Sequence, residues 1–321
     1  MVPTGLELTK WLFDPKHPLT ARVMVNRLWQ EMFGKGLVVS SEDFGNQGNL
    51  PSHPELLDYL AVEFRQKGWD MKYMLKKMVM SATYQQSSAT SPKLREADPD
   101  NTWLARSFRY RLNTEMIRDN VLFSSGLLNP EMGGPSVKPY QPEGIWEAIA
   151  VGRKGRGETE YIVDKDEKLY RRSLYTYWRK TIPPPSMLIF DAPMKEICEV
   201  RRVRTSTPLQ ALNLLNDPQV LEASRVLASQ LLEEKSLSTE QKIEKAFRKI
   251  VIRKPQSKEI EVLMASYSEE QARFKKDPSL ARKLLKVGAY PQKETLDQVE
   301  CAALMHVVSI IYNLDETISK S

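Results

Sequence analysis

The sequence predicts a mainly α fold: helical N- and C-terminal parts around an irregular central segment with room for a short β-sheet. Three observations lead there. Apolar residues recur at helical spacing through residues 17–128 and again through 206–321. Helix starts are signalled by Ser, Asp or Thr just ahead of proline or of an apolar run. Between the two helical parts, seven of the chain's fourteen glycines fall within residues 126–157, together with Pro130, Pro135, Pro139 and Pro142, a density that regular elements do not tolerate. The stripes on either side need partners, so residues 1–321 read as one domain in three parts, 17–128, 129–205 and 206–321.

Taken in order, the first helix is LTARVMVNRLWQEMFG. Ala21, Val25, Leu28 and Met32 form its stripe, with Arg22, Asn26, Trp29 and Phe33 along a half-buried edge. Gly34 and Gly36 end it. Ser52 as N-cap, Pro54 in the first turn and Glu55 completing S-x-x-E start the next helix, which stops near Gly68. Asp70 caps a third, SSATSPKLREADPD is an exposed connection, and Asn113 or Thr114 opens a fourth. LYRRSLYTYWRKTI has the aromatic and β-branched content of a strand, although a helix also fits, and Pro183 to Pro185 end it. From Thr205 onward come TPLQALNLLN, a helix capped by Asp217 with Pro218 in its first turn, two more around 239–251 and 257–275, and a last one over 296–313.

Composition narrows the function classes. Apolar residues at 41 % and mixed charges at 27 % exclude a disordered chain. A net charge of +6 is too small to mark a nucleic-acid protein, but residues 151–205 hold 13 basic and 8 acidic side chains, so nearly all of the excess is local. Two cysteines, Cys198 and Cys301, and three histidines, His17, His53 and His306, give no metal-ligand spacing and no CxxCH haem attachment word. No stretch reaches the roughly 20 apolar residues that span a bilayer, and the first residues lack the pattern of a signal peptide.

Three groups of residues could carry chemistry. His53, at a loop-to-helix start, has Asp43 and Glu55 as nearby carboxylates and would suit a general base; a local hydrogen bond to a carbonyl is the structural alternative. Arg111, Glu115, Arg118 and Asp119 share one helix face, where Glu115 and Asp119 could work as an acid/base pair or belong to an ion-pair network. Arg171, Arg172, Arg201, Arg202 and Arg204 bracket Tyr175 and Trp178, and Tyr140 and Trp146 precede them. Clustered guanidiniums among aromatic rings suit an anionic or sugar-like polymer, and pairing with local carboxylates is the structural alternative. His306 reads as a core histidine, with haem ligation by it or a methionine as a remote alternative.

The words HPLTARVMVNRLWQEMFGKGLVVSSEDFGNQGNLPSHPELLDYLA, MGGPSVKPYQPEGIWE, YRRSLYTYWRKTIPPPSMLIFDAP, CEVRRVRTSTPLQALNLLNDP and NLDETI, in this order from Trp11 to Ile318, resemble the domain-of-unknown-function family 1553 of planctomycetes and related bacteria. That resemblance implies the C-terminal part of a longer exported protein, behind a second domain of unknown function and often a c-type cytochrome domain. Met1 then marks a boundary within a longer protein, a split gene or a truncated reading frame. It implies a periplasmic or cell-surface location and c-type haem in a separate N-terminal domain, with none in this chain. It supplies no catalytic residues. The function expected is a binding or assembly module recognising an anionic polysaccharide or a partner domain, with nucleic acid disfavoured. The alternative is a hydrolytic or metal-dependent enzyme using His53 and nearby carboxylates.

Overall fold

The computed structural model describes residues 4–146, 160–196 and 198–320. Its chain divides into two compact units, Met1–Tyr110 with Lys320–Ser321, and Arg111–Ser319. Helices dominate both. The short sheet is a two-stranded pair, β1 (Tyr110–Arg111) with β2 (Ser319–Lys320), and so lies outside the central segment.

In the first unit, α1 (Gly5–Leu12) is followed by α2 (Thr20–Phe33), α3 (Pro54–Gln66), α4 (Met71–Val79) and the short α5 (Pro92–Ala97). The connection over 87–100 thus contains a turn of helix, capped by Ser91. Val25, Trp29 and Phe33 of α2 pack with Leu57, Leu60 and Phe64 of α3 and Met74 and Met78 of α4. The stripe of α2 is rotated from the expected one: Leu28 and Met32 are half-buried, while Asn26 is fully buried. The reason is hydrogen bonding. The Asn26 amide accepts from Val38 N at 2.9 Å and donates to Val38 O at 3.0 Å, so it pairs the returning loop as a strand would. Gly36 sits so close that a Cβ there would meet the Asn26 amide nitrogen at 2.7 Å.

The capping box expected at Ser52 does not form. His53 occupies the N-cap position of α3 without a capping side-chain bond, and Ser52 instead donates its backbone N–H to Leu37 O at 2.8 Å. Asp70 does cap α4, accepting from Tyr73 N at 3.0 Å.

The second unit starts with α6 (Thr114–Ser124) and ends in a helical bundle: α7 (Pro185–Ile189), α8 (Pro208–Asn216), α9 (Pro218–Glu233), α10 (Thr239–Val251), α11 (Ser257–Lys276), α12 (Pro278–Leu285), α13 (Gln298–Tyr312) and α14 (Asp315–Ile318). Helix α13 is apolar almost all round and is buried accordingly. It packs against α9, α10, α11 and α12. Fully buried Ala223 and Ala228 on α9 and Ala302 and Ala303 on α13 let these backbones approach closely. Asp217 caps α9 as expected, accepting from Gln219 N at 2.8 Å.

Among the described residues between α6 and α7 the chain is mostly irregular. LYRRSLYTYWRKTI is neither strand nor α-helix: it makes two single 3-10 turns, Asp166–Tyr170 and Ser173–Tyr175, and isolated bridges such as Val137 with Thr176. Backbone without a ladder must find other partners when buried. Arg118 supplies them for the buried residues Leu169 and Arg171, and Arg171 reaches the exposed residues Glu131, Gly133 and Pro135. Arg118 donates to Leu169 O at 2.8 Å and Arg171 O at 2.9 Å, and also to Ser173 Oγ at 3.1 Å and Gln219 Oε1 at 2.8 Å. Arg171 donates to Pro135 O at 2.9 Å and to the carbonyls of Glu131 and Gly133.

Candidate binding cleft

Helix α9 brings two charged residues into the core on one face, Glu222 and Arg225, at 0 % and 2 % exposure. Buried charges need hydrogen bonds on all sides, and the loop after α12 provides most of them. Tyr290 N donates to Glu222 Oε1 at 2.6 Å, while Arg225 donates to Tyr290 O at 2.6 Å and Pro291 O at 3.4 Å. Glu222 Oε1 also accepts from the hydroxyls of Tyr170 at 3.0 Å and Tyr140 at 3.2 Å, and Ala289 N donates to the Tyr140 hydroxyl at 2.7 Å. Gly288 allows this approach. Its φ is +80°, and a Cβ there would lie 2.3 Å from the Glu222 carboxyl carbon. Burial, then the adjacent Glu222 charge, pushes the Tyr140 hydroxyl up to about 12, and the same causes in the same order push Tyr170 higher still.

The pinned loop forms one wall of a cleft of about 750 Å³. Ala289, Tyr290 and Pro291 face Leu127, Leu128, Asn129 and Pro130, with Lys165, Asp166, Glu167 and Tyr170 completing the lining. Tyr290 packs edge-on against Tyr170, centroids 6.2 Å apart, and keeps 40 % of its surface exposed. Asp166 holds a left-handed backbone at φ +55°, a conformation that Asp tolerates better than most residues. Its neighbours Lys165 and Glu167 are exposed with it at the lip.

The sequence-predicted ligand residues are distributed differently. Tyr140 is spent on Glu222, and Arg171 is buried under the Tyr175 ring, 3.9 Å from its centroid, with all its bonds to carbonyls. Trp146 is buried, donates to Gln141 Oε1 at 3.2 Å and has the Arg179 guanidinium over its face. Trp178 is half-buried beneath the Lys195 ammonium. Arg202 makes a two-pronged pair with Glu115 at 2.6 and 3.1 Å, and Arg204 is half-buried close to Arg111. Arg172 and Arg201 are exposed. The basic residues Arg153, Lys154 and Arg156 lie outside the described residues.

The catalytic candidates are each engaged separately. In the first unit, Asp43 accepts from Gly45 N at 2.7 Å and His53 Nδ1 lies 3.0 Å from Ser52 Oγ. In the second, the intrahelical network expected on α6 is replaced by longer-range partners: Arg111 pairs with Asp191, Glu115 with Arg202, and Asp119 accepts from Ser173 N and Oγ, both at 2.7 Å. Among the described residues no three His, Cys, Asp or Glu side chains are grouped to hold a metal ion. Neither is any helix long and apolar enough to cross a membrane.

Glu222, Arg225, Gly288 and Tyr290 carry the cleft wall, and sequence reading passed over them. A signal existed: Glu222 and Arg225, three residues apart, stand with Gln219 on a face of DPQVLEASRVLASQLLEE that otherwise carries Val226 and Ser229. Their partner loop lies 65 residues further on, beyond any local pattern.

The fold and cleft define a mainly α-helical domain with an arginine-buttressed irregular segment. A family model described as "Protein of unknown function (DUF1553)" matches residues 4–267, and the chain belongs to that family. The wall residues Gly288 to Pro291 lie beyond the matched span. No curated protein and no solved structure matches the chain.

Proposed function

We propose that this chain is a non-catalytic binding or assembly module, and that its ligand seats in the cleft between residues 127–130, 165–170 and 289–291. One observation carries the reading: the cleft wall is immobilised from behind by two buried charges, Glu222 and Arg225, an arrangement that presents Tyr290 in a fixed pose. Preorganised surfaces bind with less ordering cost. None of His53, Asp43, Glu115 and Asp119 lines this cleft, which favours binding over hydrolysis.

A polysaccharide or a companion domain is the occupant class we favour. The exposed Arg172 and Arg201 do not line the cleft, so a polysaccharide seated there would meet the cleft surface alone. The family's usual company adds a c-type cytochrome domain, carrying its own haem, as the first protein partner to test, at the cell surface or in the periplasm. Titration of the chain with acidic and neutral glycans and with such a domain, at low and raised salt, tests the reading. Saturable binding to one of them supports it, and no binding at any ionic strength overturns it.

A further inference from the structure

We infer that the cleft takes a short, uncharged saccharide segment, one sugar ring stacked on Tyr290 and its hydroxyls hydrogen-bonded to the Asp166, Glu167 and Lys165 side chains. The inference rests on the binding-module reading and adds the ligand's chemical class. Four features on the cleft surface point the same way.

The first is size. About 750 Å³ falls inside the roughly 300–1,000 Å³ of small-molecule sites and exceeds what a single small ion would fill. The second is a fixed aromatic platform. A pyranose ring has one face of C–H groups, which lies well on an aromatic face when that ring is partly open and cannot rotate away. Tyr290 meets both conditions: 40 % of it is exposed, its backbone is clamped on both sides by Glu222 and Arg225, and Tyr170 braces its ring. The third is polar chemistry at the lip. Sugar hydroxyls both donate and accept, and carboxylates beside an ammonium offer partners for both roles. Lys165, Asp166 and Glu167 present that mixture on consecutive exposed residues, with Asp166 turned by its left-handed backbone. The fourth is sign. Two carboxylates against one ammonium repel a polyanion, so the local charge at the cleft opposes the basic excess counted along residues 151–205. Leu127, Leu128, Pro130 and Pro291 supply the apolar remainder of the surface.

The test is calorimetric titration of the whole chain with neutral oligosaccharides, the hexaoses of glucose, xylose and mannose series, beside oligogalacturonate as the acidic probe, each at 20 and 300 mM salt. At least one neutral hexaose is expected to bind, with affinity unchanged within about twofold between the two salt levels. Tyr290→Ala should weaken it at least tenfold, and Asp166→Asn, which keeps the left-handed tendency while removing the charge, threefold or more. Thermal melts of both variants establish that they are folded, and the Asp166 variant keeps the test open should Tyr290→Ala lose its fold. Neutral binding that survives both substitutions places the ligand elsewhere and overturns the inference. So does binding of oligogalacturonate alone, or of a partner domain alone, although the binding-module reading then stands. If no saccharide binds, the inference falls, and the binding-module reading falls with it only if the partner-domain titration is also blank.

Discussion

The bundle of α9 to α13 and the described part of the irregular segment 129–205 belong to the same unit and share an apolar core, which Leu169, Tyr170 and Phe190 join, yet the backbone of the segment is held in a second way. The bundle is stabilised by apolar contact: Val226, Leu227, Leu231, Ile243, Phe247, Leu304, Val307 and Val308 form a continuous core. In the irregular segment, buried positions are interrupted by glycine and proline, and the backbone carbonyls of residues 131, 133, 135, 169 and 171 accept from Arg118 and Arg171. A guanidinium offers five donors in a rigid fork and can therefore stand in for a missing sheet ladder. Arginines clustered among aromatics can thus be structural donors turned inward instead of ligand contacts turned outward, and the sequence pattern alone does not separate the two.

The contrast can be broken at several points. Removing the Arg118 fork by Arg118→Met takes away four hydrogen bonds; Leu169 O keeps Gln219 and Ser173 Oγ keeps Asp119, so Arg171 O and Gln219 Oε1 are the acceptors stranded. At about 1–3 kcal/mol for each of these two groups left unmade, about 2–6 kcal/mol should be lost in a denaturant melt. In the bundle, Leu227→Ala, at a fully buried position, should cost about 2–5 kcal/mol through lost burial and the cavity left behind. Gly288→Ala should loosen the cleft wall, because both its positive φ and the 2.3 Å approach to Glu222 forbid the methyl group. A rise in protease cleavage near 289–291 would register that, and unchanged cleavage would count against the clamp.

Alkali should act on the same junction. Tyr140 has its folded value raised to about 12 against an ordinary 10, so the fold favours the protonated phenol. A raised value contributes stability that is fully present below about pH 10 and is lost as pH climbs through about 12. Ultraviolet titration should show exposed tyrosines ionising first, with Tyr140 and Tyr170 following only as the unit opens; Tyr140→Phe should flatten this pH dependence. The smallest effect belongs to the half-exposed pair. Arg202→Ala breaks its contact with Glu115, side chains 32 % and 29 % exposed, and should cost about 1 kcal/mol or less.

The longer helices were legible because several turns of periodicity outweigh local noise: 239–251 was anticipated to the residue, and Asp217 with Pro218 marked the start of α9. Short helices such as Pro185–Ile189 and Asp315–Ile318 are too brief for a period to show. Pro278–Leu285 carries the same Asp-Pro start as α9, in Asp277 and Pro278, and a clear apolar stripe, but its eight residues give only about two turns of period. For the site, the residue types around Arg171 were visible, but their direction was not. Adjacent positions in an extended stretch face opposite ways, so Arg171 turns to the interior at 4 % exposure while Arg172 remains at the surface. The cleft itself depends on a contact between residues 222 and 290, which no local spacing encodes.

Those two neighbouring arginines give the most direct measurement. Arg171→Met and Arg172→Met make the same chemical change one residue apart, and urea unfolding of each compares the outcomes without further assumption. If buried arginines replace the missing ladder, Arg171→Met should lose about 2 kcal/mol or more, from three charge-assisted hydrogen bonds to carbonyls, while Arg172→Met stays within about 0.5 kcal/mol of the parent. Equal losses, or a larger loss at Arg172, would contradict the claim that the central segment is held from within by its arginines.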